Sequence, residues 1–356
     1  MIAGKIAEEQ LLERAPLTID ERTLRRRFRG ASVLITGAGG SLGGRMVDQM
    51  IRLEAGTVVC VDHHEASLFR LGERLRGNTR ETDVRYYFAD VRDTTRLIRF
   101  VDEFGVDAVF ALAAYKHVPL AETNADQVVH VNVLSTLALA DRALPAGVRD
   151  FVYPSTDKAV RPPSIYGATK RLVELELLRR VREDPRRRLR IARLVNVLQT
   201  AGNVVELFAH QLAEGRPLRL MDRRMTRYYI TSAEATSLIA AAACLDGPRG
   251  PLMLPVGEPV PTLRLALRLG ELLTGKQPEI EEVGMRPGER LHEELLYAYE
   301  RLEETELAGV LEVRTERPTA DAREVVRALQ RAVEVGDDAE VRRLMAEAAE
   351  AAAVTA

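Results

Sequence analysis

Short apolar, β-branched runs alternate with longer amphipathic stretches along the first 195 residues of the chain. The short runs have the length and composition of strands and lie at residues 32–36, 57–62, 84–89, 106–112, 149–154 and 189–194. Two of the longer stretches, 93–104 and 166–182, carry apolar residues at helical spacing. Strands and helices that alternate in this way predict an α/β fold, a doubly wound parallel sheet with helices on both faces.

The pattern changes after residue 195, where glycine and proline interrupt shorter runs, for example at Gly215, Pro217 and Gly250. We therefore predict a smaller lobe there, interleaved with the last elements of the main sheet. Beyond residue 318, apolar residues at helical spacing predict two short helices on either side of Gly336. The predicted division is an N-terminal helical arm at 1–30, the main domain at 31–195, the smaller C-terminal lobe at 196–316 and a helical tail at 317–356.

Composition and charge limit which partners and which cellular compartment are expected for the protein. The formal net charge is −2, and the arginine runs at 25–27 and 186–188 are offset by acidic residues, so no nucleic-acid partner is expected. Cys60 and Cys244 both lie in apolar runs, which is typical of buried thiols in a reducing compartment. No apolar run reaches the roughly 18 residues of a membrane span, and the first residues are too charged for a signal peptide. We expect a cytoplasmic protein.

A glycine-rich turn follows the first predicted strand and opens a helix. Such a turn lets the backbone approach a pyrophosphate and directs helix N-terminal amides at its charge. Asp62 ends the second strand, where a carboxylate can accept hydrogen bonds from an adenosine ribose. The context predicts a Rossmann-type domain that binds NAD or NADP, with Asp62 favouring NAD and the neighbouring His63 leaving NADP open. The residues of the turn assigned to the cofactor are Gly37, Gly39, Gly40, Ser41, Leu42 and Gly43.

Further cofactor contacts follow from strand order. Asp90 and Val91 come after the third strand and are expected at the adenine. Ala113, Ala114 and Lys116 follow the fourth strand and are expected at the nicotinamide ribose. His63 and His64 have too few spaced companions for a metal site, and no metal is expected.

Tyr166 and Lys170 are one helical turn apart and therefore share a helix face. A free tyrosine hydroxyl titrates near pH ~10, and a nearby ammonium and a nicotinamide cation favour its phenolate. The pair can then accept a proton from a sugar hydroxyl while hydride leaves the same carbon. In a dinucleotide-binding fold that also has the glycine turn, this spacing is a specific sign of such a catalytic pair.

These motifs resemble the extended short-chain dehydrogenase/reductases. More narrowly, the chain resembles the nucleotide-sugar 4,6-dehydratases of bacterial polysaccharide and flagellin-glycan biosynthesis, which act on UDP-N-acetylglucosamine. The similarity extends over about residues 11–296, and its marks are ITGAGGSLG, AAYKHVPLAETNADQVVHVNVLST, STDKAV, YGATK, RLVNV, MTRYYIT and GMRPGERLHEELL. The family implies a tightly bound NAD(P) that is recycled in each turnover, a UDP-sugar substrate and a homo-oligomer.

The resemblance also assigns chemistry to single residues. Tyr166 and Lys170 oxidise C4 of the sugar, and Thr156 takes the place of the hydroxyl residue that bonds the C4 oxygen. Asp157 resembles the acid that protonates the departing C6 hydroxyl, and Lys158 resembles the base that removes the C5 proton. The product would be a UDP-4-keto-6-deoxy-hexosamine.

Two further sets of residues come from the same motifs. Asn132 resembles the asparagine that steadies the active-site helix, although a helix-interior amide that bonds the backbone is the alternative. Guanidinium groups suit the diphosphate of the nucleotide. The residues assigned to the substrate are Lys116, His117, Asn196, Val204, Arg227, Arg286 and Glu289.

Departures from the family pattern keep alternatives open. Gln199 and Thr200 stand where the family has different or smaller residues, and residues 161–164 replace an asparagine-bearing segment, so the sugar is undetermined. Tyrosine at 166 favours relatives that invert C5, without deciding inversion against retention. A UDP-sugar C4 epimerase is the first rival, because it needs hydride transfer alone. A non-catalytic dinucleotide-binding protein is the second.

Overall fold

The computed structural model describes residues 6–247, 249–315 and 321–354. Its helices are α1 (Glu8–Leu12), α2 (Glu21–Phe28), α3 (Ser41–Arg52), α4 (Glu65–Leu75), α5 (Thr94–Phe104), α6 (Val118–Thr123), α7 (Ala125–Val129), α8 (Thr136–Ala143), α9 (Ile165–Glu183), α10 (Val204–Ala213), α11 (Ser232–Ala242), α12 (Thr262–Thr274), α13 (Arg323–Val335) and α14 (Asp338–Val354). A π-helical segment, His130–Ser135, joins α7 to α8, and a 3₁₀ turn, Asp157–Ala159, precedes α9.

The strands are β1 (Ser32–Thr36), β2 (Thr57–Asp62), β3 (Asp83–Phe88), β4 (Ala108–Ala111), β5 (Asp150–Thr156), β6 (Leu189–Leu194), β7 (Asn196–Val197), β8 (Leu218–Leu220), β9 (Thr226–Arg227), β10 (Tyr229–Ile230), β11 (Leu252–Met253), β12 (Val260–Pro261), β13 (Ile280–Glu282), β14 (Glu300–Glu304) and β15 (Leu311–Thr315). Nine of them form one sheet in the order β14-β15-β11-β6-β5-β4-β1-β2-β3. All its pairs from β11 to β3 are parallel, and β15 and β14 add an antiparallel edge.

Helices cover both faces of this sheet, which confirms the predicted doubly wound α/β fold. One apolar core lies under α2, α3, α4 and α11, and a second lies under α5, α8, α9, α13 and α14. Every residue of β5 and β6 is buried, as expected for central parallel strands between two helical layers. The chain order reverses between β4 and β1, and ligands of such sheets bind at the carboxyl end of that point.

The strand and helix predictions agree closely with the observed bounds. β1, β2 and β6 have the predicted limits, and α5 begins one residue after its predicted start because Asp93 is its N-cap, accepting from Arg96 N at 3.0 Å. β4 is shorter than predicted, while β5 continues two residues further, to Thr156. That extension brings Thr156 to the carboxyl edge of the sheet.

A third apolar core lies in the smaller lobe, between α1, α10, α12 and β8. The N-terminal arm contacts two cores, because α2 packs under the main sheet and α1 packs in the lobe. β11, β14 and β15 come from beyond residue 195 and complete the main sheet. The domain limits stay predictions, and the one at 316–317 falls outside the described residues. Over the described residues, no helix combines the length and the apolar character needed to cross a membrane.

Candidate active site

The glycine-rich turn between β1 and α3 leaves no room for side chains. Gly37 has a φ of 68°, in the left-handed region, and a Cβ on Gly43 would lie 2.0 Å from the Gly37 carbonyl oxygen. α3 starts at Ser41 with Gly40 as its N-cap. The first N–H groups of a helix lack intrahelical partners, so this close-packed turn fits the pyrophosphate of a dinucleotide.

Asp62 is fixed beside this turn at the end of β2. Its Oδ2 accepts a hydrogen bond from Gly39 N at 2.9 Å, and its Oδ1 accepts one from His64 N at 2.9 Å. His63 Nδ1 lies 3.6 Å from the same Oδ1. The carboxylate is therefore held where it can also accept from a ribose hydroxyl, and its charge disfavours a 2′-phosphate.

A deep cavity of about 690 Å³ extends from the glycine turn into the smaller lobe. It brings together most of the residues predicted from sequence, namely Gly37, Gly40, Ser41, Leu42, Gly43, Ala114, Lys116, His117, Thr156, Lys158, Tyr166, Lys170, Asn196, Val204, Arg227, Arg286 and Glu289. The remaining predicted residues do not line it; these are Gly39, Asp62, His63, Asp90, Val91, Ala113, Asn132 and Asp157. Asp62, His63, Asp90 and Val91 lie instead at the ends of the neighbouring strands β2 and β3.

Asp157 and Lys158 form a close ion pair in the 3₁₀ turn after β5. Lys158 Nζ is 3.2 Å from Asp157 Oδ1, which also accepts a hydrogen bond from Thr156 Oγ1 at 2.9 Å. Asp157 Oδ2 is buried without a partner. Burial raises the pKa of Asp157, and the Lys158 ammonium offsets part of that rise. The pair thus holds a carboxyl group that readily takes a proton, with one oxygen free.

Tyr166 and Lys170 lie in the first turns of α9, whose N-cap Ser164 accepts from Gly167 N. Lys170 Nζ donates to the Pro154 carbonyl at 2.9 Å and lies 4.5 Å from the ring centroid of Tyr153. Burial lowers the pKa of Lys170 to about 7. Burial also raises the pKa of Tyr166, and the Lys158 ammonium offsets part of this. The net effect of the protein groups is a raised pKa of Tyr166, and the predicted influence of a nicotinamide cation stays a prediction.

A loop of the smaller lobe closes over the glycine turn. Ala201 N donates to Ser41 Oγ at 2.9 Å, and Lys116 Nζ donates to Thr200 Oγ1 at 3.2 Å. Gly202 has a φ of 70° and packs against the His117 ring, which a Cβ there would approach to 2.4 Å. Lys116 and His117 are thus held at the junction between the cofactor end and the lobe.

Arg227, predicted to bind the diphosphate, is already saturated by protein groups. Its Nη1 donates to the carbonyls of Thr226 and Leu291, and its Nη2 donates to Glu289 Oε2 at 3.1 Å and to the Arg290 carbonyl. Its Nε lies 3.5 Å from Glu293 Oε1. Four of the five guanidinium N–H groups donate hydrogen bonds, and Nε faces Glu293 as an ion pair, so in this arrangement Arg227 holds the loop at 289–293 in place.

Arg286 differs from Arg227 in its surroundings. It is exposed and lines the cavity, and its side chain makes no hydrogen bond or ion pair with the described residues. A free guanidinium at the mouth of the cavity is the better placed group for a diphosphate.

The two predicted asparagines lie in hydrogen-bond networks beside the cavity. Asn132 lies in the π-helical segment, where its Oδ1 accepts from Tyr115 N at 2.9 Å and its Nδ2 donates to the Tyr115 carbonyl at 2.8 Å and to Thr169 Oγ1 at 3.4 Å. It therefore ties the loop after β4 to α9. Asn196 donates to the Tyr228 carbonyl and presents its Oδ1 to Lys158 Nζ at 3.3 Å, so it lies at the catalytic pair.

Sequence reasoning missed Glu293 and Tyr153. Glu293 Oε1 lies 3.3 Å from Lys158 Nζ, although the two residues are far apart in the chain. Glu293 belongs to the quoted GMRPGERLHEELL motif, but its spacing alone does not indicate contact with residue 158. Tyr153 falls within the strand predicted at 149–154, and the structure shows Lys170 Nζ 4.5 Å from the centroid of its ring.

A model of the polysaccharide biosynthesis protein family matches residues 33–315. The chain belongs to this family. It is 36% identical over 298 residues, 82% of the chain and 49% of the relative, to the capsular polysaccharide biosynthesis protein CapD of Staphylococcus aureus. The chain thus spans about half the length of that relative. The family places it among the extended short-chain dehydrogenase/reductases, as the motifs predicted.

Relatives of similar length carry two different activities in their names. The chain is 29% identical to the UDP-N-acetylglucosamine 4,6-dehydratase (inverting) of Campylobacter jejuni, over 75% of this chain and 77% of that one. It is 27% identical to the UDP-glucose 4-epimerase of Rickettsia typhi, over 79% and 82%. Among solved structures, Pen from Bacillus thuringiensis matches with a TM-score of 0.74 and 26% identity, over 83% of this chain and 92% of that one.

Proposed function

We propose that this protein is a nucleotide-sugar 4,6-dehydratase that acts on a UDP-N-acetylhexosamine, with UDP-N-acetylglucosamine as the first candidate. The observation that carries the proposal is the Asp157–Lys158 ion pair: Lys158 lines the same cavity as Tyr166 and Lys170, and Asp157 is buried in contact with Lys158. Hydride transfer needs the tyrosine and lysine of α9. Removal of water across C5 and C6 needs an additional acid and base, and the pair supplies both.

The residues of the glycine turn and Asp62 would hold a nicotinamide dinucleotide, with NAD favoured over NADP by the Asp62 charge. When bound, this cofactor accepts the electrons and hydrogen of C4 and returns them at C6. Tyr166 Oη removes the C4 hydroxyl proton and Thr156 Oγ1 orients the C4 oxygen. Lys170, at 2.9 Å from the Pro154 carbonyl, is held where its ammonium supports the tyrosine.

Elimination requires a neutral amine and a neutral carboxyl group in adjacent positions. The ion pair and this neutral pair hold the same number of protons, because one proton can move along the 3.2 Å hydrogen bond from Lys158 Nζ to Asp157 Oδ1. Lys158 Nζ then takes the C5 proton, and Asp157 gives its proton to the C6 oxygen, which leaves as water. Lys158 afterwards returns the proton to C5, and the proton collected at Tyr166 restores Asp157.

A UDP-sugar C4 epimerase is the second candidate, and the Rickettsia relative favours it. An epimerase uses Thr156 and Tyr166 but has no step for Asp157 and Lys158. It therefore leaves the burial of a charged pair beside the cavity unexplained, since burying two charges costs several kcal/mol per ion.

One incubation separates the two candidates. The purified protein is mixed with UDP-N-acetylglucosamine in deuterated water and the sugar is followed by mass spectrometry and proton NMR. Loss of one water with deuterium at C5 supports the dehydratase, and the ring couplings show whether C5 is inverted. Unchanged mass with a galacto-configured sugar would establish the epimerase instead. A cytoplasmic location and a homo-oligomeric state stay predictions.

A further inference from the structure

The proposed reaction leaves unused one buried carboxylate that contacts Lys158. Glu293 lies in the loop between β13 and β14, and its side chain is 3% exposed. Its Oε1 is 3.3 Å from Lys158 Nζ and 3.5 Å from Arg227 Nε. A buried carboxylate is costly unless it is paired, so its position between two cations needs an explanation.

Three oxygen atoms surround Lys158 Nζ. It donates hydrogen bonds to Asp157 Oδ1 at 3.2 Å and Asn196 Oδ1 at 3.3 Å, and it forms an ion pair with Glu293 Oε1 at 3.3 Å. Each comes from a different part of the chain: the 3₁₀ turn, β7 and the loop before β14. A lysine side chain has a long flexible stem, and three convergent acceptors fix its Nζ at one point.

We propose that Glu293 is a positioning residue: its carboxylate fixes Lys158 Nζ beside Asp157 and sets the pH range in which these two residues share a single proton. The inference rests on the proposed dehydratase function. Arg227 contributes indirectly, because it clamps the loop that carries Glu293.

The effect of Glu293 on the pH range follows from the negative charge of its carboxylate. Below the working range Asp157 and Lys158 are both protonated, and no base is available; above it both are deprotonated, and no acid is available. Burial raises the pKa of Asp157 and lowers the pKa of Lys158, but the Asp157 and Glu293 carboxylates outweigh burial at Lys158 and its pKa is raised. The Glu293 carboxylate raises the pKa of both Asp157 and Lys158. Removing that negative charge lowers both values, so the whole pH–rate profile of dehydration moves to lower pH.

Other charged groups face the pair and must be held constant in the test. Lys158 is also influenced by Arg227 and Tyr166, and Asp157 by Thr156 through a hydrogen bond. Glu293 itself contacts Lys158 and Arg227. Substitution at Glu293 leaves all of these side chains in place, which makes it the cleanest single change.

Glu293→Gln removes the charge and keeps an oxygen acceptor for Lys158. We expect the acid limb of its dehydration profile to move down by about 1 pH unit or more, because a neighbouring opposite charge shifts a pKa by about 1–3 units. Glu293→Asp keeps the negative charge, so the acid limb of its profile should lie close to that of the wild type. Glu293→Ala also removes the oxygen that holds Lys158 Nζ in place, so the dehydration rate should fall by about 10²-fold.

The matched control is Glu294→Gln, the same substitution one residue later. The Glu294 side chain is 44% exposed and pairs with Arg161 and Arg290 instead of Lys158, so the profile of this variant should coincide with that of the wild type. C4 oxidation, read from the absorbance of the reduced nicotinamide, should stay within a few-fold in the Glu293 variants. An unshifted acid limb in Glu293→Gln would overturn the inference, while absence of turnover in the wild type would overturn the proposed function.

A measurement without substrate tests the inference separately. The chain has five lysines, so acetylation of each by acetic anhydride can be followed by mass spectrometry across pH. Lys276 is exposed and serves as the internal reference. Lys158 should react faster relative to Lys276 in Glu293→Gln than in the wild type, because more of it is the neutral amine. Equal relative rates would refute the role of the Glu293 charge.

Discussion

Arg227 and Arg286 were both assigned to the diphosphate from sequence, and the structure separates them. Replacing Arg227 by alanine removes contacts to two carboxylates and three carbonyls. It leaves the buried Glu293 facing Lys158 alone. Breaking a buried ion pair on one side costs about 3–5 kcal/mol. We therefore expect Arg227→Ala to lower the free energy of unfolding by about that amount, measured by urea unfolding.

Arg286→Ala is the matched comparison, since Arg286 is exposed and without a protein partner among the described residues. Its unfolding free energy should change by no more than about 0.5 kcal/mol. Loss of a charge-assisted hydrogen bond to phosphate costs about 1.5–3 kcal/mol, which corresponds to about a 10- to 100-fold rise in KM for the UDP-sugar. The reasoning is refuted if Arg227→Ala unfolds like the wild type and raises KM alone, or if Arg286→Ala is the strongly destabilised variant.

Three further outcomes are expected. Tyr166→Phe removes the acceptor for the C4 proton and should slow reduction of the nicotinamide by about 10²–10⁴-fold, whereas Lys158→Ala should keep that reduction and lose deuterium incorporation at C5. Burial lowers the pKa of Lys170 from 10.5 to about 7, so the unfolded chain binds one more proton between these values and stability rises with pH there; urea unfolding of Lys170→Met should lack this rise. Asp62→Ala loses the acceptor for Gly39 N and should weaken binding of NAD more than of NADP in calorimetry.

The amino-acid sequence by itself determined the layout of this protein. Short apolar, β-branched runs and amphipathic stretches placed β1, β2, β6, α5 and α9 within a residue of their observed limits, because central strands and long helices depend on local patterns. The glycine turn and the α9 tyrosine and lysine were found for the same reason, since their chemistry depends on short spacings. Motifs of contiguous residues were also sufficient to predict the family.

Only the tertiary structure decided which charges meet. Glu293 reaches Lys158 through a loop that folds back from far along the chain, and the same loop saturates Arg227 and leaves Arg286 free. Asn196 meets Lys158 because β7 lies next to β10, whose preceding residue Tyr228 accepts a hydrogen bond from its amide, and its assignment to the substrate stays a prediction. Neither periodicity nor spacing encodes such contacts, because they depend on loop paths and on which side chains share a buried space.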